Sequence, residues 1–454
     1  MKFEKFMMSR VPVWLLILVI AIALVCIVTF GWFVMRSLHG DERLGQLKSA
    51  IIAIADFPSL VKRTFNELDE KKAPLLLANR FPEFDGFKKN GKMQAGAVSD
   101  EGYLLLSSFD HKKGQSTVKL IRIHDDQIVH EWIPDIRLLA KSRSETPFFD
   151  ADNMTPFRYQ LAHPLLLDDG SLVFKSVGPL FKINACSQFE WINNGFFHHS
   201  IETDVNGNLW VPSHVESSFY GKAELVDHKD DAIAEVSARN GKVLYKKSVP
   251  KILVENGYRG LLFGAGPYEN DAIHLNDIQP ALYSTNYWKK GDLLVSIRNR
   301  STVFLYRPST NKIIWLKTGP WLNQHDADFV GKSKISIFGN DVIRREGAKT
   351  IELKNRIYVF DLTDGAIATP YTEPFKMLDI RTPTGGRQEI LDHGDVFVEE
   401  TDYGRLLRLS AKDAVWTYVV KVDDDTLGML NWSRYLTQEQ VTNVLPVLER
   451  SHCH

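Results

Sequence analysis

From about Gln94 onward the chain repeats one arrangement, and that repeat limits what it can fold into. Each unit opens with a Gly or polar turn and an apolar strand. A second strand, a polar turn and a third strand that often ends in Trp follow. Six such units are read: Gly102 to Trp132, Gly170 to Trp191, Gly207 to Tyr245, Gly291 to Trp315, Ile335 to Ile367 and Gly394 to Trp416. Short antiparallel strands recurring as a group are the signature of a β-propeller, whose blades have four strands each. Sandwich strands do not recur as a group. The expectation is an all-β, six-bladed propeller over 94–422, with the fourth strand of each blade not placed.

A histidine precedes four of the apolar strands. The segments are His163-Pro164, His199-Ser200-Ile201-Glu202, His274-Leu275-Asn276-Asp277 and His325-Asp326-Ala327-Asp328. In a propeller the first strand of each blade lines the central channel, so residues leading into it gather at one mouth. His198 adjoins His199, and strand alternation sends neighbours to opposite faces, so one of the pair faces the axis. The spacing favours His199. His163 has the weakest surroundings and reads as structural. The carboxylates and amides after the others suit two roles: orienting an imidazole, or tying the turns between blades.

Ser296-Ile297-Arg298-Asn299-Arg300 is read as lying inside the inner strands of the fourth unit, where alternation puts Arg298 and Arg300 on one face and Asn299 on the other. A guanidinium in an apolar strand needs an anion, a carboxylate or the channel. A permanent cation near three histidines favours an anion site over a metal site. A multi-histidine iron or zinc centre remains the competing chemistry. A non-catalytic propeller scaffold remains the competing class. No metal and no cofactor is expected. The net charge of −1 gives no global pull on nucleic acid, and no nucleotide loop precedes a helix signal.

Val11 to Met35 is an uninterrupted apolar run, with Trp14 and Trp32 near its ends. Such a run spans a bilayer with some tilt. Lys2, Lys5 and Arg10 precede it, so 1–10 is expected in the cytoplasm and the bulk beyond the membrane. The run is long for a signal peptide and lacks an Ala-x-Ala site, which favours an uncleaved signal-anchor over 11–35. Leu44, Leu47, Ile51, Ile54 and Ala55 recur at helical spacing, and Ser59 suits the cap of a second short helix through Phe65. The segment 41–92 is therefore expected to be a helical stalk. A helical tail is expected over 423–454. Cys26 falls in the apolar run, and Cys186 and Cys453 are expected to be unpaired.

The ordered set from Phe196 to Asn340 resembles the arylsulfotransferase family. His198-His199-Ser200-Ile201 looks like the family's His-His-Asp-Ile segment. It is followed by His274-Leu275-Asn276-Asp277, Leu294-Val295-Ser296-Ile297-Arg298 and Ile313-Ile314-Trp315. Gln324-His325-Asp326-Ala327-Asp328-Phe329 and Ile335-Ser336-Ile337-Phe338-Gly339-Asn340 complete it. Ser200 and Gly339 depart from the family's Asp at their positions, and the segment Asp277 to Gly291 is longer than expected. The resemblance implies a six-bladed propeller of exported or periplasmic proteins; the apolar run adds the expectation of a single-pass anchor in the inner membrane. It implies sulfuryl transfer from an aryl sulfate donor to a phenolic acceptor without a nucleotide. By motif, His325 matches the transiently sulfated histidine. His199 (or His198), His274 and Arg298 match groups that hold the sulfate oxygens and assist proton transfer. Arg300, Asn340, Asp326 and Asn276 are the further substrate-binding candidates. Protein partners are not indicated.

Overall fold

The computed structural model describes residues 12–38, isolated positions between 47 and 57, and 75–89, 102–142, 154–215, 228–264, 266, 268–343, 351–451 and 453. The chain divides into two units, Met1–Lys72 and Ala73–His454, each described by itself.

In the first unit, Val13–Leu38 is a helix of 26 residues without an acidic group in its first turn. Its stretch Val13–Ser37 is long and apolar enough to cross a membrane. The Arg36 guanidinium lies over the Trp32 ring at 4.5 Å. Leu47, Ile51, Ile54 and Ala55 are helical, as the spacing predicts. Leu44, the three basic residues before the apolar run and the segment Ser59 to Phe65 lie outside the described residues.

The second unit is a propeller-like ring of antiparallel sheets. Among the described residues the strands form six four-stranded groups. An eight-stranded sheet accounts for two of these, joined where Ser213 pairs with Phe197. The second strand of each group is buried on both faces: Leu293–Ile297 and Val396–Glu400 are buried throughout. Each such Leu, Val or Ile contributes about 1.5–3 kcal/mol on full burial. The outermost strands alternate instead; Lys312–Thr318 exposes every other residue near its start. This explains why the second strands are the most legible in sequence.

The fourth strands, not placed from sequence, are the innermost ones, and they are short. They are Ala162–Leu166, Glu202–Thr203, Leu275–Pro280, Ala327–Val330, Arg387–Ile390 and Arg434–Leu436. The histidine segments themselves lead into these strands, and the Gly-led strands come second. The last innermost strand comes from the segment expected to be a helical tail. Arg434–Leu436 pairs with Leu105–Tyr103, so the chain's end completes the first group and closes the ring. The helices Gln438–Thr442 and Leu445–Arg450 follow, the first under a Thr437 capping box.

The expected stalk boundary also moves. Leu76–Ala78 pairs with Gly428–Thr426, and Gly86–Lys89 adds a fifth strand to the last group. Cys186 and Cys453, expected to be unpaired, form a disulfide that ties the C-terminus to the second group. Residues 267 apart gave the sequence no hint of proximity.

The inner strands are stitched to their neighbours by side chains, which satisfies backbone donors that no ladder reaches. Asp231 Oδ2 accepts from Leu275 N–H at 2.7 Å, and Asp277 Oδ2 from Ala327 N–H at 3.1 Å. Asp326 Oδ2 accepts from Gln388 N–H at 2.8 Å, and Glu399 Oε1 from Trp432 N–H at 2.8 Å. His163 N–H donates to Asn431 O, and Ile201 N–H to His163 Nδ1 at 3.2 Å. The stitches run from group to group around the axis, and Asp277 and Asp326, which follow His274 and His325, supply two of them.

Candidate active site

The residues leading into four inner strands have left-handed backbones: Trp432 (φ 62°), His163 (52°), His199 (54°) and His274 (49°). Each non-glycine residue so placed costs on the order of 1 kcal/mol and persists only where its surroundings over-determine it. The stitches supply that constraint. This geometry replaces strand alternation as the reason His198 and His199 diverge. The His199 ring centroid lies 5.1 Å from His274, 6.3 Å from His325 and 5.9 Å from Trp432. Trp432 lies 6.1 Å from His325 and 5.2 Å from His163. His199 therefore meets both His274 and His325, and a tryptophan absent from the sequence-based candidates, Trp432, adjoins His199, His325 and His163.

His325 is 3 % exposed. Its Nδ1 lies 2.6 Å from Asn340 Oδ1. The Asn340 amide donates to Thr382 O at 2.9 Å and Gly385 O at 2.8 Å, which fixes the oxygen toward the imidazole. Nδ1 must then carry the proton, and Nε2 the lone pair. Nε2 accepts from Gly385 N–H at 3.0 Å. Gly386, at φ 90°, leaves no room for a Cβ beside Phe338 and Thr382, so the loop can approach His325 only with glycine there. Burial, then the Arg298 charge, holds the His325 pKa well below the ordinary imidazole value. The ring is neutral and its lone pair is retained.

His274 Nδ1 lies 2.9 Å from Asp271 Oδ2, three residues upstream. A carboxylate there favours a proton on Nδ1 and turns Nε2 away from it. Although burial pushes Asp271 up, the His274 hydrogen bond leaves its pKa lowered overall. His199 Nδ1 lies 2.7 Å from His198 Nδ1, so the pair shares a single proton between them. Burial, followed by the charges of His198, His274 and His325, pulls His199 well below the usual range. His198 turns the other way, toward Asp231 and His214. Lys175 is fully buried and donates to the His199 carbonyl; burial, then Arg434, brings its amine down to about 7.

Arg298 and Arg300 are not in the strand. They form a 3-10 turn after Ile297, so alternation does not govern them. Arg298 N–H donates to His274 O at 3.0 Å, which seats the residue beside that histidine. Arg300 is directed elsewhere: Nη1 meets Glu269 Oε2 at 2.6 Å and Nε donates to Leu261 O at 2.6 Å. Asn276 Nδ2 donates to Gln324 O at 3.0 Å, fixing the segment before His325. Asp326 stitches Gln388, as above, and burial pushes it up to about 7. His163 Nδ1 accepts from Arg434 Nη2 at 2.7 Å, a structural place.

A cavity of about 620 Å³ is lined by Leu165, Glu202, Gln279, Asp328, Arg387 and Arg434, one from each inner strand. None of the histidines lines it, so the chemistry rather than cavity size locates the site. The residues missed from sequence are Trp432, Gly385, Asp271 and Asp231. Asp271 had a local signal, three residues before a selected histidine; the others had none.

Residues 163–421, more than half of the chain, match the family described as Arylsulfotransferase (ASST). No curated protein matches. Among solved structures, a protein of unknown function from Bacteroides caccae is 14 % identical, with a TM-score of 0.45 over 74 % of this chain and 98 % of that one. Virginiamycin B lyase from Staphylococcus aureus is 12 % identical, with a TM-score of 0.38 over 76 % of this chain and 99 % of that one. The Neurospora crassa Pan2 WD40 domain is 11 % identical, with a TM-score of 0.38 over 78 % of this chain and 98 % of that one. At these scores the three likenesses carry no argument.

Proposed function

The chain belongs to the arylsulfotransferase family, and from that premise we propose that it moves a sulfuryl group from an aryl sulfate ester to a phenolic or other hydroxyl acceptor through a sulfohistidine at His325. The observation that carries this reading is the Asn340 contact, which leaves Nε2 of a buried, neutral His325 with the lone pair. In the first half-reaction that lone pair forms the N–S bond as the S–O bond to the aryl group breaks. The electron pair leaves on the phenolate oxygen, which takes a proton from His274. In the second half the acceptor hydroxyl gives its proton to His274 while its oxygen attacks sulfur. The N–S bond breaks and its pair returns to Nε2. The sulfated ring is cationic while Nδ1 keeps its proton, and Asn340 Oδ1 is placed to hold that proton.

Arg298 and His199 stabilise charge on the sulfuryl oxygens, where fixed donors act in a water-poor setting. Trp432 offers a face to the aryl ring. No nucleotide donor, metal or other cofactor takes part in this step. The helix Val13–Leu38 anchors the protein in the inner membrane, with the second unit in the periplasm. The Cys186–Cys453 disulfide supports an oxidising compartment.

One observation favours a non-catalytic scaffold: Gly385 N–H already engages Nε2. Mass spectrometry of the purified protein after exposure to p-nitrophenyl sulfate separates the two. One added sulfuryl group on His325, absent in His325→Ala, is the expected result. No addition to the wild-type protein, or unchanged turnover in His325→Ala, would sink the proposal.

A further inference from the structure

Behind His199 lies a second constellation that the transfer chemistry does not use. His214 ends the strand Leu209–His214, and its Cα is the register partner of Asp231 on the neighbouring strand. Partners in register on antiparallel strands present their side chains on one face. His198 follows the strand Phe189–Phe197, held by its N–H to Pro212 O at 3.1 Å. Its ring lies 4.9 Å from that of His214. Asp231 Oδ2 is committed to Leu275 N–H at 2.7 Å, so Oδ1 is turned to the histidines. Oδ1 is 2.7 Å from His214 Nε2 and 3.5 Å from His198 Nε2.

The three donor atoms lie within 4.8 Å of one another. His198 Nε2 is buried without a hydrogen-bond partner, and 3.5 Å to Asp231 is too long to serve as one. A buried imidazole nitrogen aimed at a carboxylate and a second imidazole, yet not bonded, needs an explanation. A cation placed about 2.0–2.2 Å from each donor provides it: tetrahedral donors stand ~3.4 Å apart, so the His214–Asp231 pair at 2.7 Å opens slightly and any wider spacing closes. Phe196 stacks on His214 at 4.4 Å and walls the group.

We propose that His198, His214 and Asp231 bind a divalent ion of the zinc class, and that this ion sets the tautomer of His199. Two imidazoles and one carboxylate are a donor set for borderline transition ions rather than for magnesium or calcium. A metal on His198 Nε2 requires the ring's proton on Nδ1. That proton points at His199 Nδ1, 2.7 Å away, which must then accept. His199 is left with its proton on Nε2, as a donor toward the cluster with His274 and His325. Without the ion, His198 is free to carry its proton on Nε2 and accept at Nδ1, and His199 then presents a lone pair instead. The ion thus acts through His198 on a positioning residue and touches no substrate. The binding site stands by itself; the consequence for His199 as a sulfuryl-oxygen donor rests on the function proposed above.

The test uses full-length protein purified without chelator. Elemental analysis is expected to give one zinc per chain. After chelation, Co²⁺ is expected to restore one equivalent and to give visible d–d absorption, which His214→Gln loses. His325→Ala is expected to retain the metal fully, which keeps this result separate from that of the sulfohistidine. Nitrogen NMR of histidine-labelled protein is expected to show the His199 proton moving from Nδ1 to Nε2 on adding Zn²⁺. Failure of the chelated wild-type protein to bind Zn²⁺ or Co²⁺ stoichiometrically overturns the site. Unaltered absorption in His214→Gln overturns it too. Stoichiometric binding with the His199 proton unmoved overturns the tautomer coupling.

Discussion

His325 Nδ1 and Asn340 Oδ1 are 2.6 Å apart, and the Asn340 amide spends both its protons on backbone carbonyls of the neighbouring group. An asparagine so committed can only accept from the imidazole. The tautomer that leaves the lone pair on Nε2 is therefore built into the fold and needs no substrate to select it.

Replacing Asn340 with Ala removes that acceptor and leaves the buried Gly385 carbonyl without its donor. An unsatisfied buried acceptor costs about 1–3 kcal/mol, so the melting temperature falls. Activity falls further, by ~10²-fold or more in kcat/KM, the scale on which a positioned proton matters. Steady-state kinetics on the folded variant check this. Equal kcat/KM in the variant would show that Asn340 is a brace and nothing more.

The acid limit of activity depends on Arg298. Burial and the guanidinium both hold the His325 pKa low, so the nucleophile keeps its lone pair at acid pH. Arg298→Met removes a positive charge, which favours the imidazolium and raises that pKa. The acid limb of kcat/KM then moves to higher pH, in addition to an overall loss of rate. A parallel drop at every pH, with no displacement of the limb, would contradict the electrostatic account.

His163 gives a matching prediction for stability. Burial, then Arg434, Arg387 and Lys175, keeps it neutral in the folded chain. The unfolded chain protonates it below an imidazole pKa of about 6.5, while the folded chain does not. Stability from this group is thus present above that pH and lost as pH falls. His163→Gln does not titrate, so its deficit in melting temperature relative to wild type is expected to shrink between neutral and mildly acid pH. A deficit that grows on acidification would reverse the sign.

Cys453→Ser opens a loop whose ends are 267 residues apart. Loss of such a crosslink costs roughly 2–4 kcal/mol. The helices over 438–450 pack Val441, Val444 and Leu448 into the core of the first two groups. Urea unfolding with and without reductant measures the loss; coincident curves would mean that those helices hold without the bond.

The inner strands show where sequence periodicity stops working. Glu202–Thr203 is two residues long, and no alternation can be read from two positions. Leu293–Ile297, buried on both faces, stands out as an apolar run. The histidine segments were legible because they recur. Arg298 was legible by its charge, but its turn was not, because a 3-10 turn after a strand leaves no periodic trace. Trp432 was hidden in a segment whose helical signal, real at Thr437, masked the strand before it.

By itself the sequence determined a chain of recurring β units, an apolar helix before them and a set of histidines leading into the units. It determined these because burial on two faces and turn chemistry are local in the chain. The tertiary structure decided which histidine has its lone pair set, which carboxylates stitch and which orient, and how the ring closes. Those outcomes hang on contacts such as His325 with Gly385, 60 residues on, and His163 with Arg434, 271 residues on. A proton's place on an imidazole is fixed by what the other nitrogen meets, and only the closed ring brings those partners together.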